Sequence, residues 1–372
     1  MAFSILWPDG HAFDTPLPEK DQINFWKTKL VYPYEADTLA IVHKDILTAN
    51  DNQHFTWEAP GKWTISAYTS ALLFRRLETV WVKTSHEWIL NANTTIEKSL
   101  DMEPLEIIWR RYHVKGNSLE SRNPGKYQEW IRYPEIIYEV CLKWSVKTWW
   151  GEIIHDPFIK MDENFQPVLR PDGMPVLMHS KKPGEIDYVS VFHPNKWWDI
   201  PFDDVRDVIS RLAKQSPSIH DMAEKIQEVT FDTYAQIGRL NADGKFEVWY
   251  DKDGNLILWD ELEMDSLRNM NLQKIEIDGQ TYEYPNDVLW SSLHYLMGGH
   301  ASRVERIITA RHSWKQKYRD LTWVWKEEVM TSDRQDANNA AANQVTKTIY
   351  RPVALALSNE FGKDIGYLLQ RN

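Results

Sequence analysis

The 372-residue sequence contains a single cysteine, Cys141, and no apolar run long enough to cross a membrane. One cysteine excludes an internal disulfide and indicates a reducing compartment. Its apolar neighbours, among them Val140 and Leu142, predict a buried, unreactive thiol rather than a nucleophile. The first 20 residues lack a basic segment followed by an apolar core, so we expect no secretory signal and predict a cytoplasmic location.

The sequence also lacks an excess of basic residues, because 43 Lys and Arg against 54 Asp and Glu give a formal net charge of −11. This balance argues against a general nucleic-acid binder, although a local basic pocket for a small anion is compatible with it. The hydrophobic content of 42% is ordinary for a globular protein of one large domain or two lobes. The 19 tryptophans are scattered along the chain, which favours core and interface packing over stacking on nucleic acid.

Strand and helix patterns together predict an α+β protein of two lobes. Residues 1–103 form a small, antiparallel β-rich N-terminal lobe, and residues 104–372 form a larger mixed lobe with additional segments near 160–200 and 271–313. The predicted strands are Lys29–Tyr32, Thr38–His43 and Leu105–Tyr112. The predicted helices are Ser66–Val80, Asp203–Leu240 with a break around Ser216-Pro217, Val288–Leu296, Arg303–Tyr318 and Thr346–Leu369.

One segment combines strand signals with closely spaced charges. If Asp253-Gly254 forms the two-residue hairpin loop that this dipeptide favours, Glu247 lies directly opposite Asp260. Opposed carboxylates repel each other, whereas a Mg²⁺ ion between them removes the repulsion. Asp243 and Lys245 share this face because strand side chains alternate, and the lysine ammonium group can bind a phosphate. An ordinary solvated hairpin remains the alternative.

The motif order from about Trp26 to Asp320 resembles that of the SAICAR synthetase family, the ATP-dependent ligases of purine biosynthesis. The matching segments are, in chain order, Trp26–Tyr32, Thr48–Asp51, Met102–Arg110, Gly116–Leu119, His155–Pro157, Asp243–Glu247, Asp260–Arg268 and Lys315–Asp320. The resemblance implies a two-lobe fold with an ATP cleft between the lobes. It also implies that the protein joins the carboxylate of a carboxyaminoimidazole ribonucleotide to L-aspartate through an acyl phosphate, with ATP and Mg²⁺ as cofactors.

The resemblance further implies a role for each matched residue. Lys27 and Lys29 are expected to hold ATP phosphates, the Met102–Leu105 segment, including Glu103, to bind adenine, and Glu247 and Asp260 to bind Mg²⁺. The expected catalytic residues are Lys245, Asp243, Asp156 and Asp265. Arg110, Ser118, Arg268 and Arg319 are expected to bind the substrate nucleotide, since the guanidinium fork suits phosphate. For several residues the pattern alone allows a structural role: an exposed strand edge for the lysines and a core strand for Met102–Leu105.

Departures from the family pattern leave other functions open. Trp26 replaces the glycine that begins the Lys-x-Lys turn, and the segment between Arg110 and Ser118 is longer than usual. A ligase acting on another nucleotide or amine, a small-molecule kinase with a similar cleft and a non-catalytic tryptophan-rich scaffold are the alternatives. The expected partners are small molecules, without nucleic acid or membrane, and a homo-oligomer is compatible with the sequence.

Overall fold

The computed structural model describes the larger part of the chain. The described residues are 24–25, 29–35, 37–49, 52–58, 61–91, 94–113, 118–126, 132–194, 198–251, 253–260, 262–263, 266–277, 280–287 and 351–366. The predicted helices Val288–Leu296 and Arg303–Tyr318 lie outside them.

Strands dominate the described residues. In chain order they are β1 (Asn24–Phe25), β2 (Lys29–Pro33), β3 (Thr38–His43), β4 (Ile46–Ala49), β5 (Asn52–Glu58), β6 (His86–Asn91), β7 (Thr94–Lys98), β8 (Asp101–Tyr112), β9 (Arg132–Leu142), β10 (Ser145–Thr148), β11 (Ile153–Ile154), β12 (Phe158–Ile159), β13 (Leu177–Met178), β14 (Glu185–Ile186), β15 (Tyr188–Phe192), β16 (Asp199–Ile200), β17 (Arg239–Tyr250), β18 (Leu256–Trp259), β19 (Leu267–Ile277) and β20 (Gln280–Asp287). The helices are α1 (Lys62–Glu78), α2 (Ser118–Arg122), α3 (Phe202–Ala235) and α4 (Arg351–Gly366).

The described residues form four sheets, of which the smaller two have the orders β11-β10-β15-β16 and β4-β5, and the larger two position the site. The first is a five-stranded antiparallel sheet with the order β1-β2-β3-β7-β6, and it ends at Lys98. The second begins at Asp101 and has nine strands, with β8 and β17 at its centre and β18 paired to β17. This mixture of antiparallel sheets and helices confirms the predicted α+β class.

The nine-stranded sheet has one apolar and one polar face, because successive side chains alternate across a strand. Leu105, Ile107 and Trp109 of β8 are fully buried in the main core, where they pack with α3. Glu106 and Arg110 of β8 and Asp243, Lys245 and Glu247 of β17 occupy the opposite face. The sequence alternation therefore places a core and a candidate site on the two sides of the same strands.

Most predicted elements are confirmed, and the predicted break in α3 is wrong. The structure contains one continuous helix, Phe202–Ala235, with Pro217 inside it. Ser216 stabilises this region because its hydroxyl donates to the carbonyl of Phe165. Pro217 is exposed, so a proline in the helix does not disturb the buried face. None of the helices in the described residues is long and apolar enough to cross a membrane.

The predicted register of the β17–β18 hairpin is also wrong, by one residue. Glu247 pairs with Trp259, not with Asp260. The loop is longer than a two-residue turn: the amide of Asp251 donates to the carbonyl of Asn255 at 3.0 Å, and Gly254 has φ +76°. This left-handed glycine after a turn is the other common hairpin closure.

Candidate active site

The candidate site follows β17 along the polar face of the large sheet. Asp243, Lys245 and Glu247 occupy alternate positions, so their side chains share this face. The neighbouring strand β8 places Arg110 beside Asp243 and Glu106 beside Glu247. β17 thus carries a carboxylate, an ammonium group and a second carboxylate in a line, about 7 Å apart.

At one end of this line, Asp243 lies between two arginines. It pairs with Arg110 on β8 and with Arg268 on β19, the strands on either side of β17. Arg110 Nη1 donates to Asp243 Oδ2 at 3.1 Å, and Arg268 contacts both oxygens of the same carboxylate. All three residues are at most 4% exposed. Their spacing is therefore fixed by the sheet and by one buried carboxylate.

Arg110 connects this cluster to the helix α2. Its Nη2 donates to Ser118 Oγ at 2.8 Å, and its Nε donates to Glu139 Oε2 at 2.8 Å. Glu139 also pairs with Arg122, whose guanidinium lies 4.0 Å from the ring centre of Phe158. The structure thus brings together the predicted residues Arg110, Ser118 and Arg268.

Arg122 and Glu139 were not among the residues predicted from the sequence. Arg122 lies four residues after Ser118, so both face the same side of a short helix. That spacing was the only available signal for Arg122. The three arginines exceed the two carboxylates of the cluster, Asp243 and Glu139, by one charge. A small excess of buried positive charge suits an anion such as a phosphate.

In the middle of the line, Lys245 contacts Glu106. Its Nζ lies 2.5 Å from Glu106 Oε2, and 47% of its side chain is exposed. The carboxylate of Glu106 raises the pKa of Lys245, and Glu247 and Asp260 add to this rise although burial opposes it. The lysine is therefore a permanent positive charge within reach of the solvent side of the face.

At the other end, two carboxylates are held by two lysines. Lys143, which follows β9, contacts Glu247, and Lys29 Nζ of β2 lies 2.5 Å from Asp260 Oδ1. Burial raises the pKa of Glu247, Lys143 opposes the rise, and the charges of Asp260 and Glu106 add to it. Glu247 and Asp260 therefore share one electrostatic environment despite the shifted register.

Asp260 reaches this environment through an unusual backbone conformation. It follows directly after β18 and has φ +63°, a left-handed value that few residues other than glycine adopt. Such conformations persist only where the surrounding structure holds them, and they concentrate at functional sites. Asp156, another predicted site residue, also has a positive φ, +48°.

Asp156 lies beside Cys141 on the same side of the sheet. Its carbonyl accepts a hydrogen bond from Cys141 Sγ at 3.4 Å. Burial raises the pKa of the Cys141 thiol, and the carboxylates of Glu106 and Asp156 raise it further. The prediction of a buried, unreactive cysteine agrees with this environment.

The predicted adenine segment, Met102–Leu105, is a paired part of β8 rather than a free connector. Glu103 is 3% exposed and accepts two hydrogen bonds from Arg211 of α3, at 2.5 and 3.2 Å. Leu105 is fully buried in the core. The side chains of both residues therefore face α3, and the binding of adenine by this segment stays a prediction.

Three predicted site residues, Lys27, Asp265 and Arg319, lie outside the described residues. Among the described residues there is no group of three or more His, Cys, Asp or Glu side chains that could hold a metal ion. Two hard carboxylate ligands, such as Glu247 and Asp260, nevertheless fit Mg²⁺, which protein sites bind through one or two carboxylates together with phosphates and water.

Comparison with known proteins shows which family the sequence matches. The family model of SAICAR synthetase matches residues 23–164 and 199–305. The phosphoribosylaminoimidazole-succinocarboxamide synthase of Sulfolobus acidocaldarius is 26% identical over 242 residues, which are 65% of this chain and 80% of that protein. The enzyme of the same name from Pyrococcus horikoshii is 27% identical over 242 residues, 65% of this chain and 79% of that protein.

A solved structure extends the likeness to the fold. The SAICAR synthase from Saccharomyces cerevisiae, complexed with SAICAR, has a TM-score of 0.50 and 17% identity, and the match covers 91% of this chain and 98% of that chain. At this identity the similarity concerns the architecture alone.

Proposed function

The chain belongs to the SAICAR synthetase family, and on this premise we propose that it is an ATP-dependent ligase acting on a carboxyaminoimidazole ribonucleotide and L-aspartate. The product is the succinocarboxamide nucleotide of purine biosynthesis, formed with ADP and phosphate. The observation that carries this proposal is the set of charges on the polar face of the large sheet: an arginine cluster around Asp243, a lysine at 245, and the carboxylates of Glu247 on β17 and of Asp260 after β18.

The reaction needs an activated carboxylate, because a carboxylate anion repels an amine. Its oxygen attacks the γ-phosphorus of ATP, the bond to the β-phosphate oxygen breaks, and ADP leaves. The aspartate amine then attacks the acyl carbon, the bond to the phosphate oxygen breaks, and the amine loses a proton. Phosphoryl transfer depends mainly on positioning and on neutralising charge, which are the contributions that this face can supply.

Arg110, Arg268 and Ser118 anchor the phosphate of the substrate nucleotide at the Asp243 end. Asp243 acts as a positioning residue, since its carboxylate holds both arginines. The exposed half of Lys245 faces the transferring phosphoryl group and offsets its negative charge. Asp156 lies on the same side and is assigned to the imidazole end of the substrate.

Glu247 and Asp260 are assigned to Mg²⁺, which when bound neutralises the ATP phosphates. Lys29 and Lys143 exchange their carboxylate partners for phosphate oxygens when nucleotide enters. Lys27, Asp265 and Arg319 keep the roles that the family resemblance implies. The backbone of the Met102–Leu105 segment remains the proposed adenine contact, without the side chains of Glu103 and Leu105.

We propose the boundary between the two lobes at residues 103 and 104; the five-stranded sheet ends just before it at Lys98, and the first central strand of the nine-stranded sheet begins at Asp101. A cytoplasmic location also remains part of the proposal, and the single buried cysteine supports it.

The test is phosphate release from ATP with the carboxylated nucleotide, with and without L-aspartate. A ligase forms ADP and free phosphate only when aspartate is present. Without aspartate, phosphate release would indicate a hydrolase and ADP formation without free phosphate would indicate a kinase, and either result would contradict the proposal. Lys245→Ala and Asp260→Asn are expected to lower turnover by at least about a hundredfold, because each removes a charge that acts on the phosphates. Lys225→Ala, which affects only a surface pair with Asp221, is the matched control.

A further inference from the structure

We propose that the buried pair of Lys62 and Glu263 positions the site, because it fixes on helix α1 the segment of chain that leads from Asp260 to Arg268. The inference rests on the proposed function for the roles of Asp260 and Arg268. It goes further by assigning their placement to two residues for which the family resemblance implies no role.

The Lys62–Glu263 pair is part of a closed group of three buried side chains. Lys62 is 4% exposed and Glu263 is 6% exposed. Lys62 Nζ lies 3.6 Å from Glu263 Oε1, and it also donates to Ser66 Oγ at 3.3 Å. The hydroxyl of Ser66 donates in turn to Glu263 Oε2. Both carboxylate oxygens of Glu263 are therefore held by residues of α1.

Lys62 occupies a position where a cation does not favour the helix. It is the first residue of α1, and the N-terminus of a helix carries a partial positive charge that repels an ammonium group. Taking that group out of water adds a further cost, which a well-placed counter-charge offsets. Helix formation therefore does not account for a buried lysine here, whereas the contact with Glu263, which lies 197 residues beyond Ser66, does.

The backbone of Glu263 is held as firmly as its side chain. Its carbonyl accepts hydrogen bonds from the amides of Ser266 and Leu267, at 3.0 and 3.1 Å, and its own amide donates to Ser266 Oγ at 3.0 Å. The carbonyl of Ser266 accepts a further bond from the amide of Lys245 at 3.1 Å. A displacement of Glu263 therefore reaches the backbone of Lys245 on β17 and the first residue of β19.

Two side chains assigned to the site lie on either side of Glu263 in the chain. Asp260 precedes it by three residues and has φ +63°, a conformation that persists only where the surrounding structure holds it. Arg268 follows Leu267 and contacts the carboxylate of Asp243. Because the connecting segments are short, fixing Glu263 on α1 restricts the movement of both side chains.

The experiment measures aspartate-dependent phosphate release at varied concentrations of Mg²⁺, carboxylated nucleotide and L-aspartate. Glu263→Gln keeps the shape of the side chain and an acceptor for Ser66, but it removes the counter-charge of Lys62. The Mg²⁺ concentration for half-maximal rate and the KM for the nucleotide should rise about tenfold, because Asp260 and Arg268 lose their fixed positions. The KM for L-aspartate, to which neither residue is assigned, should stay within about twofold.

Lost stability also lowers activity, so a second variant separates the two effects. Lys62→Met/Glu263→Gln removes both charges at once, and replacing a buried ion pair by uncharged groups is often neutral for stability. This double variant should unfold near the wild-type urea concentration and still show a KM for the nucleotide raised at least about threefold. Leu357→Ala is the matched control, since it destabilises the core from α4 and should change none of the three constants. If Glu263→Gln does not fold, the double variant carries the same measurements.

Hydrogen–deuterium exchange tests the inference without any activity. The amides of Ser266 and Leu267 donate to Glu263, so they should exchange at least about tenfold faster in Glu263→Gln and in the double variant than in the wild type. In Leu357→Ala, any faster exchange should be shared by the whole core.

Several results would overturn the inference. Unchanged Mg²⁺ and nucleotide dependence in the folded variants would show that the Lys62–Glu263 pair does not position the site, and so would wild-type exchange of the two amides. An equal rise in all three constants, or a double variant that regains wild-type stability and KM together, would make the pair a stabilising contact only. A wild type without aspartate-dependent phosphate release would instead refute the proposed function, and faster exchange of the two amides in the variants would still support the anchoring of this segment.

Discussion

Asp243 is a buried carboxylate whose desolvation must be offset by its attraction to two arginines. Taking a carboxylate and two guanidinium groups out of water is expensive, and their mutual attraction offsets this cost only when the geometry is good. Here the carboxylate is 2% exposed, and the sheet places Arg110 and Arg268 on either side of it. The arrangement makes Asp243 a fixed support for two cations rather than an accessible acid.

Replacing Asp243 by Asn should therefore destabilise the protein strongly. The substitution leaves two buried arginines without their shared counter-charge, for which we expect a loss of about 3–5 kcal/mol in the free energy of unfolding. Urea denaturation measures the change. Asp172→Asn is the matched control: Asp172 also pairs with an arginine, Arg170, at 2.7 Å, but 41% of its side chain is exposed. The control should lose less than about 1 kcal/mol, and equal losses would contradict the role of Asp243.

The reactivity of the Cys141 thiol reports on the environment of the polar face of the large sheet. Burial and the nearby carboxylates raise the pKa of its thiol, so the protonated form dominates in the folded protein over a wider pH range. Since the thiolate is the reactive form, alkylation by iodoacetamide at pH 8 should be roughly tenfold or more slower in the native protein than in urea. Asp253→Cys, an exposed hairpin position, is the control for access of the reagent. Equal native rates for both cysteines would refute the assignment.

At the level of strands and helices, local sequence patterns predicted where most elements lie. They failed for the β17–β18 register and for the continuity of α3, which depend on contacts outside the local pattern. β2 and β3 are short apolar runs, β8 alternates apolar and polar residues, and α1 follows the 3.6-residue period, so their positions could be read from neighbouring residues. The β17–β18 register could not, because Asp-Gly permits both a two-residue loop and the longer loop that the structure adopts. α3 continues through Pro217 because its buried face packs on the sheet on both sides of the proline.

The candidate site could likewise be predicted only in part. Lys245, Glu247 and Asp260 could be predicted because a short segment contains all three. Lys143 could not, because 104 residues separate it from its partner Glu247. Arg122, which pairs with Glu139, was missed because only its spacing from Ser118 points to it. The convergence of Asp260 on Glu247 also depends on a positive φ at Asp260, which no residue pattern signals. Sequence reasoning therefore identified the acids but assigned their proximity to the wrong pairing.

Gly244 lies between Asp243 and Lys245 on β17, but on the face of the strand that is turned towards the core. A Cβ atom at this position would overlap the ring of Trp109 and the side chain of Leu267. Gly244→Ala should therefore cost about 1–3 kcal/mol of stability and, by shifting β17, lower turnover. The measurements are urea denaturation and the aspartate-dependent rate of phosphate release.

A double-mutant cycle provides the control for this overlap. Trp109→Leu alone removes a large core side chain and destabilises the protein, but it also frees the space that a methyl group at position 244 would need. The loss in the double variant should therefore be smaller than the sum of the two single losses, by about 0.5 kcal/mol or more. Strict additivity would mean that Trp109 is not what excludes a side chain at position 244.

Helix α1 of the first proposed lobe packs in the main apolar core of the second, whereas Tyr32, Ala40 and Ile96 of the five-stranded sheet form a separate small cluster. α1 belongs to the first 103 residues, yet Ile65, Leu72 and Leu77 pack in the same cluster as α3 and the large sheet. α4, from the far end of the sequence, covers α1, and the guanidinium of Arg76 lies 4.5 Å from the ring centre of Phe361. Helices from three distant parts of the chain therefore depend on each other, which favours a single cooperative unfolding transition.

The contact between α4 and α1 gives the final prediction. Leu357 of α4 is fully buried, so Leu357→Ala should lower the free energy of unfolding by about 2–5 kcal/mol through lost burial and the cavity left behind. Leu355, on the same helix, is 36% exposed, and Leu355→Ala should cost less than about 1 kcal/mol. If the core is shared, tryptophan fluorescence and far-ultraviolet circular dichroism will report one transition at a lower urea concentration in Leu357→Ala. Two separate transitions, with only one of them shifted, would mean that α4 stabilises a unit that unfolds independently of the sheet carrying the site.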